Sequence, residues 1–137
     1  MIVIAEKLLT LALKEQIFKG FSRHAISMTG HDGLSDSVAF LATDEETFVG
    51  AVVVVQFWGA LHVKYLYVED ADRGQKVASS LMDRAFIFGK ENGCSFAFVE
   101  TMSFQALGFY QKMGFQIEFT RPGYAQGTSF HYLKRDF

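Results

Sequence analysis

The stretch Tyr67-Val68-Glu69-Asp70-Ala71-Asp72-Arg73-Gly74-Gln75-Lys76-Val77-Ala78 carries a strand-like run through a tight acidic loop into helical spacing. A chain entering a helix leaves the first-turn N–H groups without partners at the positive end of the helix dipole, so such a junction suits an anion, phosphate above all. Gly74 lets the backbone approach that ligand closely. The bland alternative is an ordinary helix start after an Arg-Gly pair. Two other phosphate chemistries lose support, because no Gly-x-x-x-x-Gly-Lys-Ser/Thr loop exists and no Gly-x-Gly-x-x-Gly follows a strand.

Other reactive side chains are sparse. His24, His31 and His131 lack metal-ligand spacing and no His-Glu-x-x-His pattern occurs, so no metal is expected. The single cysteine, Cys94, opens a run that reads as a buried strand, which favours an inert packed thiol over an acyl-cysteine nucleophile. A lone cysteine forms no intramolecular disulfide, and a reducing, cytoplasmic setting is the expectation. Thirteen basic against fifteen acidic residues give a net charge of −2, against a general nucleic-acid surface. Residues 1–13 are apolar, yet Glu6 and Lys7 interrupt them and no basic run precedes them, so they read as part of a core helix rather than a signal peptide. No run reaches the roughly 20 apolar residues of a membrane span. At 137 residues, half of them hydrophobic, the chain suits one domain, 1–137, with fifteen phenylalanines available for its core.

The elements that must position these groups follow from periodicity. Leu8, Leu9, Leu11, Ala12, Ile17 and Phe18 predict an amphipathic helix over 4–19 closed by Gly20, then over 21–37 a loop with room for a short helix. Residues 38–43 and 47–58 are β-branched and aromatic around Asp44-Glu45-Glu46, a hairpin; a second turn at Trp58-Gly59-Ala60 leads into a strand over 61–68. Residues 69–72 are placed to cap a helix over 73–90, with Val77, Leu81, Ala85 and Phe88 on its apolar stripe and Asn92-Gly93 at its end. A strand over 94–101 completes a right-handed crossover, so strands 61–68 and 94–101 are expected to be parallel. Ser103 is a plausible N-cap for a short helix bearing Leu107, Tyr110 and Met113. A strand over 115–120 and a terminal one over 128–133, antiparallel to it, finish the chain.

Residues 73–78 resemble the pyrophosphate loop Gln/Arg-x-x-Gly-x-Gly/Ala of the GNAT superfamily of acyl-CoA-dependent N-acetyltransferases, with Lys76 where the family usually has glycine. Ala106-Leu-Gly-Phe-Tyr-Gln-Lys-Met-Gly-Phe115 is similar to the family segment in which Ala, Phe-Tyr and a closing Gly-Phe fall at this spacing. The resemblance covers residues 38–120 well and the N-terminal third poorly. It implies a single α/β (α+β) domain with a central, mixed, mostly antiparallel sheet of about six strands, a splayed parallel pair and helices on both faces. It also implies acetyl-CoA as cofactor, leaving as CoA. Its pantetheine arm would pair with the backbone of Leu66, Tyr67 and Val68, which would also supply the oxyanion donor. Its diphosphate would lie on residues 74–79, that is Gly74, Gln75, Lys76, Val77, Ala78 and Ser79, with Arg73 adding charge. A β-carbon at Lys76 could crowd that diphosphate, while its ammonium could pair with it.

By the same resemblance Tyr110 would protonate the departing thiolate; its alternative is a core tyrosine on the stripe with Leu107 and Met113. His62 stands where some members carry a glutamate base, and an imidazole titrates in the right range for proton acceptance; otherwise it is a sheet-surface histidine. Glu100, across the cleft, is its competitor, or else a solvated strand-end carboxylate. Ser103 takes the place of a frequent asparagine, as a helix cap first and a cofactor contact second. The function implied is direct acetyl transfer through a ternary complex to a primary amine on a small molecule, peptide or protein lysine, without nucleic-acid or membrane partners. Against it stands a non-catalytic acyl-CoA-binding module, motivated by Lys76 and Ser103. A homodimer paired through the Phe-rich terminal strand is a third expectation.

Overall fold

The computed structural model describes all residues, 1–137, which fall into two compact units, Met1–Leu34 and Ser35–Phe137. The first contains helix α1, Leu11–Thr29, rather than a helix over 4–19. Thr10 sets its start, its hydroxyl accepting from the Leu13 amide at 3.1 Å. Gly20 lies inside the helix, and the left-handed closing residue is Gly30, whose N–H reaches Ile26 O at 2.9 Å. Much of the expected loop is therefore helical, and no strand forms within residues 1–10. None of the residues of α1 is buried.

The second unit holds six strands: β1 (Val38–Asp44), β2 (Thr47–Phe57), β3 (Ala60–Val68), β4 (Phe96–Met102), β5 (Gln116–Arg121) and β6 (Phe130–Asp136). Their order is β1-β2-β3-β4-β6-β5, every pair antiparallel except β3–β4. The terminal strand β6 thus lies between β4 and β5, and the free edge on that side is β5. This corrects the expectation of a terminal edge strand, because the return from β5 inserts β6 beside β4. Two tight turns have both central residues at positive φ, Glu45-Glu46 and Trp58-Gly59, the geometry that matches strand twist.

Helix α2 (Val77–Glu91) packs its Leu81, Met82, Ala85 and Phe86 onto Val52, Val54, Leu61, Val63, Ala97, Val99 and Leu133 of the sheet. It starts four residues later than expected. Asp70–Asp72 form a short 3-10 turn instead of capping it, and Lys76 takes the N-cap position. The short helix α3 (Leu107–Lys112) begins after Ala106, so Ser103 is not its cap. Ser103 instead bonds with His131 Nε2 at 2.7 Å and Ser129, while Thr120 holds His131 Nδ1 at 2.8 Å. A buried histidine here staples the end of β4 to β5 and β6.

The parallel pair meets only at Leu61↔Ala97 and His62↔Phe98. The cause lies on β3: Val53 faces Tyr65 and Val54 faces Val63, so Lys64 is an extra residue, a bulge that bends the strand away from β4. Beyond that apex the backbone edge of residues 64–68 facing β4 is unpaired.

Candidate active site

The junction after β3 forms one wall of the splayed cleft. The amides of residues 74–79 donate to no acceptor within the protein, and the first to return is Ser80 N–H, to Lys76 O at 3.0 Å. Gly74 has φ +81 with open space where a β-carbon would lie. Lys76 has φ 62 and ψ 21, so the family's glycine position is a left-handed one that this chain fills with lysine at a cost of about 1–2 kcal/mol. The backbone conformation is what glycine would ease. Arg73 is fixed by Nε donating to Val68 O at 3.2 Å and by Nη2 against Asp70 at 3.0 Å.

Two cavities share Val68, Arg73, Ala78 and Phe109 and so form one trough. The first, about 280 Å³, also involves Asp72, Gly74, Lys76, Val77 and Ser79. The second, about 450 Å³, runs along Leu66 and Tyr67 to Phe104, Gln105 and Ala106. The expected cofactor residues Leu66, Tyr67, Val68, Arg73, Gly74, Lys76, Val77, Ala78 and Ser79 are thereby brought together. Gln75 lies on another hollow, against β1, and Ser103 lines neither half of the trough. Phe104, Gln105 and Phe109 escaped sequence reasoning, although Phe109 sits inside the motif that singled out its neighbour.

At the apex, His62 Nε2 lies 2.8 Å from Glu100 Oε2, both side chains about a quarter exposed (23% and 30%). The two competing bases are thus one hydrogen-bonded pair. A carboxylate only accepts, so Nε2 carries the proton and Nδ1 keeps the basic lone pair. The imidazole stacks on Phe98 at 4.4 Å and 3°, which fixes its plane.

Tyr110 is placed differently. It belongs to the core, 6% exposed, its ring edge-on to Phe115 at 5.6 Å and to Phe109 at 5.5 Å. Burial pushes its phenol up to about 12. It therefore stays protonated, but it is a weaker acid than a thiol of about 8.5. Cys94 is buried just before β4, and its thiol is likewise raised by burial.

A family model described as an acetyltransferase (GNAT) domain matches residues 35–117, and the chain belongs to that family. A blasticidin-S acetyltransferase of Streptomyces morookaense is 39% identical over 80 residues, 58% of this chain and 59% of that protein, so the chain spans less than two thirds of this relative's length. An acetyltransferase of Agrobacterium fabrum is 30% identical over 97 residues, 71% of each chain. Among solved structures, an acetyltransferase from Bacillus cereus superposes with a TM-score of 0.83 at 23% identity, covering 98% of both chains. A GNAT family acetyltransferase from Elizabethkingia anophelis, solved with acetyl-CoA bound, gives 0.65 at 20% identity over 74% of this chain and 76% of that one. Both share this fold.

Proposed function

We propose that this chain transfers the acetyl group of acetyl-CoA directly to a primary amine within a ternary complex. The observation that carries this reading is the unpaired amide run of residues 74–79 on the wall of a cleft whose apex holds the His62–Glu100 pair. The diphosphate rests on those amides with Arg73 and Lys76 beside it, and the pantetheine arm lies along the open edge of residues 64–68 as a substitute strand. Backbone N–H groups of that edge polarise the thioester carbonyl.

His62 Nδ1 takes a proton from the incoming ammonium, and Glu100 stabilises the imidazolium that results. The free amine then forms the C–N bond as the C–S bond breaks. The second amine proton ends on sulfur, giving CoA thiol and the acetylated amine. The resemblance puts Tyr110 beside the leaving sulfur, and a phenol held at about 12 by burial stays protonated and able to donate there. The buried, lone Cys94 supports a reducing, cytoplasmic setting. A homodimer built by strand pairing at this end of the sheet uses the β5 edge, where Ile117 and Phe119 are exposed, rather than the terminal strand β6.

The test combines two readouts. Acetyl-CoA is expected to raise the melting temperature, and an amine panel to give amine-dependent release of free thiol. A thermal shift without thiol release from any amine, together with a Tyr110→Phe variant that behaves as the parent, would favour the non-catalytic binding module. Absence of a thermal shift removes the cofactor assignment itself.

A further inference from the structure

The sheet face opposite α2 carries a second concavity, of about 350 Å³, within the range of small-ligand sites. Its walls are aromatic: Phe57, Trp58, Phe96, Phe98 and Tyr132, with Glu118 as the charged lining residue. It adjoins the catalytic apex directly. Phe98, in its wall, is the ring on which His62 stacks. Tyr132, opposite Glu100 in the β4–β6 register, forms another side. The turn that presents Trp58 is anchored, since Gly59 O accepts from Ser95 N–H at 3.0 Å.

Charge narrows the occupant. Lys134 lies over Phe96 at 4.7 Å but is paired with Asp136 at 3.1 Å. Glu118 itself makes no ion pair, and the partner of Glu100 is His62. Aromatic faces and a carboxylate together attract an ammonium, and flat walls favour a flat body.

We propose that this cavity is the acceptor site and that the acceptor is a small amine borne on an aromatic or similarly planar body, rather than a lysine of a protein chain. The proposal rests on the acetyl-transfer reading: the amine nitrogen reaches Nδ1 of His62, loses its proton there, and replaces sulfur on the acetyl carbon.

The full-length enzyme is to be assayed for thiol release with phenethylamine, n-hexylamine and a lysine-containing peptide. About a tenfold advantage in kcat/KM is expected for phenethylamine, from the stacking and cation–π contributions its ring would make. Trp58→Ala is expected to raise the phenethylamine KM about tenfold and the hexylamine KM by clearly less, while the acetyl-CoA KM, set at the separate trough, stays as in the parent. Equal or better use of hexylamine or the peptide overturns the proposal while leaving acetyl transfer intact. Trp58 is the single tryptophan, so its fluorescence reads the cavity without turnover. If no amine is acetylated, a saturable change in emission with phenethylamine but not hexylamine upholds the aromatic site and refutes the transfer reading. No change in emission refutes the site.

Discussion

His62 and Glu100 stand 38 positions apart in the chain yet share one hydrogen bond. If they act as a unit, His62→Ala should lower kcat about a hundredfold and Glu100→Gln about tenfold, with the double variant no worse than His62→Ala alone, as a double-mutant cycle would reveal. Tyr110 makes a separate prediction through stability. Its phenol is raised from 10 to about 12 in the folded protein, so the native state holds the proton more tightly than the unfolded chain. That stabilisation is complete below pH 10 and is lost as pH rises toward 12, a difference of about 2–3 kcal/mol at most. Denaturant titrations between pH 9 and 12 should therefore show the parent weakening faster than Tyr110→Phe, by roughly that amount. The family resemblance singled out His62, Glu100 and the Tyr110 phenol from the sequence, but it set His62 and Glu100 as rivals for one role. Their contact depends on side chains meeting across two strands that are paired at a single apex, which no local spacing encodes.

At the scale of elements, the cleft exists because Lys64 is unopposed and because the chain beyond β3 is held close to β2. Gly50 faces Val68, and a β-carbon there would meet Tyr67 O at 2.6 Å. Gly50→Ala should therefore cost about 1–3 kcal/mol in chemical denaturation and weaken acetyl-CoA binding by moving the strand that carries the open edge. The start of α2 makes the converse prediction. Lys76→Gly relieves a left-handed residue but adds freedom to the unfolded chain, so a net gain of no more than about 1 kcal/mol is expected. The same variant should bind CoA with a shallower salt dependence, measurable by calorimetry at two ionic strengths, because one cation beside the diphosphate is gone. The late start of α2 was hidden in the sequence. Residues 69–72 look like a helix-capping run, and their folding into a 3-10 turn with Arg73 tied back to Val68 is a tertiary choice.

For the molecule as a whole, every residue of the trough and of the apex lies in the unit Ser35–Phe137, and the family match falls within it. A chain of residues 35–137 is therefore expected to fold and to gain the same stabilisation from acetyl-CoA as the full protein, about 2.7 kcal/mol at a hundredfold excess over the dissociation constant. Comparable melting shifts in the two chains would bear this out, and a full-length shift that the shorter chain lacks would contradict it. No helix is long and apolar enough to cross a membrane. The most exposed large apolar side chains of the second unit are Phe104, Tyr65 and Leu41, and α2 contributes Ile87.

What the amino-acid order determined by itself was local, apart from the parallel β3–β4 pairing that a strand-helix-strand succession imposes. Two hairpin turns, the strand-loop-helix junction at residues 67–78 and the segment at 106–115 all follow from neighbours within a few positions, where turn chemistry and periodicity act. The tertiary structure alone decided the bulge at Lys64, the insertion of β6 between β4 and β5, the His131 staple and the burial of Tyr110. Each of these is a balance among strands distant in sequence, settled by register and by which side chains fill the space between sheet and helix. The chemistry depends on that second group, because a proton moves only between atoms that the fold has brought within bonding distance.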